Sequence, residues 1–181
     1  MRLVMLTMLC VSIAIAGMVT IAGTTNARTQ IGTFKDLDAP PTVTAYATAV
    51  SGTIVPAGEM VLDGRKLLCG RRPTVLDARL DDYAAAFPGF IIINPRLIAR
   101  VSTSVKLWIY AHECGHQFRG PDEATADCFA VQRGRRQGWL TTDGLDEVCR
   151  FIEPARGSIM HPPGPERCRL MRICFSEQRV R

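Results

Sequence analysis

Six cysteines downstream of an uncharged N-terminal stretch constrain this chain most. Residues 3–22 carry no charged side chain, follow Met1 and Arg2, and lead into the small-residue run Thr25-Asn26-Ala27 before Arg28. A basic start, an apolar run and a small-residue site are the parts of an export leader, so residues 1–27 are expected to be a signal peptide cleaved after Ala27. An apolar run of this length also suffices to cross a bilayer, and the domain is membrane-anchored if the leader stays uncleaved. Cys10 lies inside the leader. The remaining Cys69, Cys114, Cys128, Cys149, Cys168 and Cys174 form an even set in an exported chain. They predict up to three disulfides in an oxidising compartment, periplasmic or extracellular. No CxxC pair occurs, which argues against a thiolate metal site.

The 181 residues, 47% hydrophobic and 22% charged, suit one globular domain. Residues 28–41 are polar, lack periodicity and end in Pro40-Pro41, which predicts a flexible lead-in; residues 42–181 then form the domain. The formal charge of +5 comes mainly from scattered arginines, with one cluster at Arg133, Arg135 and Arg136. A nucleic-acid footprint needs a basic stripe with interleaved aromatics, so the cluster reads as a solvated helix face and nucleic acid is not an expected partner.

The expected fold class is α+β, a small N-terminal antiparallel sheet followed by helices. Residues 43–50, 53–55, 59–62 and 65–68 are short β-favouring runs, the last two joined by the hairpin signal Asp63-Gly64, and residues 90–93 form a further strand closed by Asn94-Pro95. Helical spacing takes over at residues 96–100 and 102–118. Gly120 and Pro121 break the chain, and helices over residues 122–139, 141–152 and 165–177 follow.

His112-Glu113-Cys114-Gly115-His116 is an HExxH on the 102–118 helix. Histidines four apart lie one turn apart on a single face, so both imidazoles can bind one Zn²⁺ while Glu113 addresses the water to be activated. A catalytic zinc needs a third protein ligand and an open position. An antiparallel hairpin turning near Gly120 sets His116 opposite Glu123 and His112 opposite Asp127. Glu123 lies in the first turn of its helix, where the dipole favours an ionised carboxylate. Asp127, one turn further, is the natural acceptor for the non-ligating N–H of His112. On these two helices Cys114 and Cys128 stand at neighbouring heights, which makes a Cys114–Cys128 bridge one expected pairing, with Cys149–Cys174 a second.

His112-Glu113-Cys114-Gly115-His116, then Glu123-Ala124-Thr125-Ala126-Asp127 as ExxAD, then His161-Pro162 with Arg167 leading the last helix, resemble three ordered motifs of one gluzincin group. That group contains the CAAX prenyl proteases and the bacterial HtpX-type membrane proteases. The resemblance implies His112, His116 and Glu123 as zinc ligands, Glu113 as catalytic base, and a zincin-like core in which the HExxH helix packs on the ExxAD helix. Two features depart from the group: only six residues separate His116 from Glu123, and no multi-pass membrane region is present. A small exported relative describes the chain better than a member of the membrane families. A rival resemblance, to the metzincin HExxHxxGxxH/D pattern, makes Asp122 the alternative third ligand, but the pattern's glycine falls one position late, at Gly120.

His161 and Arg167 are candidates to donate to the tetrahedral oxyanion. Residues 90–94 are either core or an edge strand for an extended peptide. The expected activity is zinc-dependent hydrolysis of a peptide or protein substrate outside the cytoplasm. The alternative is a non-catalytic, disulfide-stabilised envelope protein whose zinc site is structural or vestigial.

Overall fold

The computed structural model describes residues 40–158 and 161–177. The expected leader and nearly all of the expected lead-in fall outside them. The chain is mixed α/β. A first helix, α1 (Val43–Val50), precedes six short strands: β1 (Thr53–Val55), β2 (Met60–Leu62), β3 (Arg65–Leu67), β4 (Thr74–Leu76), β5 (Ala84–Phe87) and β6 (Phe90–Ile93). Five helices follow: α2 (Pro95–Ile98), α3 (Thr103–Arg119), α4 (Glu123–Arg136), α5 (Thr142–Ile152) and α6 (Gly164–Ser176). Among the described residues no helix is long and apolar enough to cross a membrane.

Two corrections to the expected architecture have physical reasons. The β-favouring run at 43–50 is helical: the Thr42 side chain caps Ala45 N–H, and Tyr46, Ala47 and Val50 share one buried face. Three alanines and that cap outweigh the β-branched residues. The sheet is also mixed rather than antiparallel. Its order is β1-β4-β6-β5, with β4 and β6 parallel and the other pairs antiparallel, while β2 and β3 form a separate hairpin across Asp63-Gly64.

β6 is interior to the sheet, so residues 90–93 are core rather than an edge for substrate. All four are buried, because the sheet is covered on both faces. α1 packs Tyr46, Ala47 and Val50 on Val75, Phe90 and Ile92; the later helices bury Ile91 and Ile93 on the other face.

α3 is the central helix, buried on nearly every side from Val105 to Gly115. It ends at Gly120, whose φ of 84° is a turn conformation that a side chain would resist, and Asp122 restarts the chain by capping Thr125 N–H at 2.7 Å. The two helices then lie close: a Cβ built on Gly115 would stand 3.0 Å from Ala126 Cα and 3.1 Å from its carbonyl oxygen.

Three disulfides are formed, Cys69–Cys114, Cys128–Cys174 and Cys149–Cys168. The expected Cys114–Cys128 and Cys149–Cys174 pairings are therefore wrong. Cys114 bonds to Cys69 in the chain beyond β3, and α6 docks on both α4 and α5, taking one cystine from each.

Candidate metal centre

His112 and His116 project from one face of α3 toward the first turns of α4. His112 Nε2 lies 3.0 Å from His116 Nε2 and 3.3 Å from Glu123 Oε2, and His116 Nε2 lies 3.5 Å from Glu123 Oε1. Donors held at 2.0–2.1 Å around a tetrahedral zinc are separated by about 3.3 Å. The spacing of the three groups matches that edge.

The hydrogen bonds behind the rings decide which nitrogens carry protons. His116 Nδ1 is 2.9 Å from the Gly120 carbonyl, which can only accept, so this nitrogen donates. His112 Nδ1 donates to Asp127 Oδ1 at 2.8 Å. Asp127 is fully buried and also accepts from Arg167 Nε at 2.8 Å and from a terminal Arg167 nitrogen at 2.9 Å. In neutral rings both Nε2 atoms are therefore bare. Their lone pairs face each other and the Glu123 carboxylate, an arrangement that needs a positive charge at its centre.

The site's titration reflects that need. Burial alone favours a neutral His112, but hydrogen bonds to Asp127 and Glu123 outweigh it and raise the ring to about 9. His116 is raised as well, first by Glu123. Burial pushes the Glu123 carboxyl up, yet hydrogen bonds from the two histidines hold it well below the ordinary carboxylate range. The Asp127 carboxyl is lowered in the same way, burial being overcome by Arg167 and His112. Without metal, a proton takes the central place; a divalent cation suits it by the same electrostatics. The donor set of two imidazoles and one carboxylate fits zinc among other divalent metals.

Glu113 follows His112 directly. Burial raises its carboxyl above the ordinary value, with His112 and His116 pulling the other way. His161, in the loop before α6, brings Nε2 to 3.1 Å from Glu123 Oε1 while its side chain stays 56% exposed. Asp122, the alternative third ligand, is spent on the α4 cap and is not in the cluster.

Arg167, expected as a donor to the oxyanion, lies against the carboxylates of the cluster. Its Nε and one terminal nitrogen are committed to Asp127, the latter also lying 3.5 Å from Glu123 Oε2, and its guanidinium carbon is 5.7 Å from the centre of the Trp108 ring. It acts on the cluster from behind, through the carboxylates.

Two positioning residues were not foreseen. Trp108, one turn before His112, packs its ring 5.5 Å from the imidazole. Gln117 donates from Nε2 to the Phe87 and Phe90 carbonyls at 2.6 and 3.1 Å and accepts from Arg72 Nε at 3.1 Å. It pins the end of α3 to the β5–β6 turn. A signal for Trp108 existed in its i−4 spacing from His112, whereas Gln117 has no sequence signature.

Fold and site together define a mixed α/β chain, stapled by three disulfides, with a buried His112–His116–Glu123 group able to hold a metal ion. Comparison with family models, with curated proteins and with solved structures gave no match.

Proposed function

We propose that the chain is an exported zinc-dependent peptidase, a small relative of the gluzincins, with His112, His116 and Glu123 holding the ion. The observation that carries this reading is the convergence of two imidazole Nε2 atoms and one carboxylate, 3.0 to 3.5 Å apart, with the half-buried Glu113 next to His112 and its carboxyl raised above the ordinary value. The three disulfides support an oxidising, exported setting. Bound zinc supplies Lewis acidity, which acidifies water and polarises a carbonyl.

The chain's own residues supply the rest. Glu113 accepts a proton from the attacking water and returns it to the leaving amine; its raised pKa suits both halves of that task. Asp127 keeps His112 in the Nδ1–H form and presents Nε2 to the ion. The Gly120 carbonyl does the same for His116. His161, exposed at the rim with Nε2 3.1 Å from Glu123 Oε1, is our candidate donor to a developing oxyanion.

The decisive experiment is Glu113→Gln. It should retain zinc and fold, and lose cleavage of a broad peptide library; cleavage at the wild-type rate refutes the assignment. The second reading, a non-catalytic envelope protein with a structural metal, is favoured by the disulfides, which stabilise a small domain whatever its activity. Its signature is a metal-loaded wild type that hydrolyses nothing in that library.

A further inference from the structure

Helix α6 buries little of itself. Of its thirteen residues only Gly164 and Met171 are buried, and Cys168, Cys174 and Phe175 add partly buried contacts. Apart from Met171 and Gly164, what holds it is covalent and ionic. Cys128–Cys174 ties it to α4, Cys149–Cys168 ties it to α5, and Arg167 reaches Asp127 and Glu123. Cys168 is the neighbour of Arg167, and Cys128 is the neighbour of Asp127. The two bridges thus fix the helix within one residue of the pair that orients His112.

The third bridge differs. Cys69 and Cys114 are both fully buried, whereas Cys128, Cys168 and Cys174 are only partly buried and each α6 bridge has at least one of them, Cys149 being the buried member. Thiol–disulfide exchange needs access to a sulfur, so a dithiol reaches the α6 bridges before it reaches Cys69–Cys114.

We propose that α6 is a redox latch on the metal centre: reduction of Cys128–Cys174 and Cys149–Cys168 frees the helix, withdraws Arg167 from Asp127 and Glu123, and weakens metal binding by His112, His116 and Glu123. The inference rests on the reading of that group as a metal centre, and is independent of whether the centre cleaves peptides. Each bridge takes two electrons and two protons from a dithiol, which closes to its own disulfide. With Arg167 gone, Asp127 keeps only the hydrogen bond from His112 Nδ1 and is no longer held in place itself, so the ring it orients is less firmly fixed. In a reducing cytoplasm the nascent chain then holds metal weakly, and the site is completed only where the latch can oxidise.

Zn²⁺ affinity is measured by competition with a chromogenic chelator on full-length mature protein in three forms. These are the oxidised wild type, a variant with Cys128, Cys149, Cys168 and Cys174 all replaced by Ser, and oxidised Arg167→Gln. Serine leaves no thiol to bind metal. Loss of an outer partner of a ligand costs about 10–100-fold in metal affinity, and both variants should fall in that range. Hydrogen exchange should show α6 losing protection in the four-serine variant while α3 and α4 keep theirs.

Wild-type affinity in either variant overturns the latch. So does simultaneous loss of protection in α3, α4 and α6, which makes α6 part of the folding core; this covers a four-serine variant that does not fold. An oxidised wild type that binds no Zn²⁺ overturns the metal centre itself, and the latch with it.

Discussion

Asp127→Asn tests the ring-orientation argument with a change of one atom type. The Asp127 carboxylate accepts three hydrogen bonds, one from His112 Nδ1 and two from Arg167, and its side chain is fully enclosed. An asparagine has one accepting oxygen and one donating nitrogen at the same positions. If the amide nitrogen takes the Oδ2 place, it meets Arg167 Nε as donor against donor, and the guanidinium keeps only Glu123, at 3.5 Å, as counter-charge. If it faces His112, Nδ1 must accept, the proton moves to Nε2, and an N–H points into the space where the ion belongs. Either choice has a cost. Removing one partner of a buried ion pair costs about 3–5 kcal/mol, which for a domain of this size lowers the melting temperature by roughly 10 °C. Metal affinity should fall about 10–100-fold. Thermal denaturation of the chelator-stripped protein reads the first effect and zinc competition the second. A variant that melts and binds zinc like the wild type refutes both the tautomer assignment and the part given to Asp127.

Gly115→Ala should destabilise the fold by about 1–3 kcal/mol through overpacking, beyond any gain in helix propensity, because the added Cβ meets Ala126 backbone atoms at 3.0–3.1 Å; urea denaturation measures it. The metal-free protein should lose stability as pH rises. The pKa of His112 in the fold is raised from 6.5 to about 9, so its contribution is fully present below about pH 6.5 and is lost as pH rises through about 9, on the order of 3 kcal/mol in all. Zinc affinity should climb over the same interval as the competing proton leaves, and a flat pH profile for both quantities contradicts the cluster's need for central positive charge. His161→Ala should leave the melting temperature nearly unchanged, since the side chain is 56% exposed, while peptide cleavage drops by about 10²-fold; retention of full activity removes it from the oxyanion.

What was legible in the sequence was local. The Asp63-Gly64 hairpin and the Gly120 break are encoded within a few residues of where they act, and those elements form at those places. β4 and β5 escaped notice for the opposite reason. Thr74–Leu76 is three residues long and Ala84–Phe87 is mostly alanine, so neither carries a strand pattern. Both are strands because β6 offers them hydrogen bonds. The run at 43–50 shows the converse case, in which β-branched residues suit a helix once a cap and an apolar face are in place.

The metal group and the disulfides sit at opposite ends of this scale. A three-residue turn, 120–122, joins α3 to α4, so the relative height of the two helices follows from counting, and His116 and His112 come to lie beside Glu123 and Asp127. Gly115 against Ala126 sets how closely they approach. Cystine pairing instead depends on where α6 lands after a loop that spans residues 153–163, and nothing local fixes that landing. Arg167 belongs to the same problem. As a sequence element it was a cation near a cleft, free to meet an oxyanion; once α6 docks, the buried Asp127 carboxylate claims it, because an ionised group with no exposure must be paired. The role of that arginine was therefore decided by the burial of a residue forty positions earlier, a fact of packing that spacing along the chain does not carry.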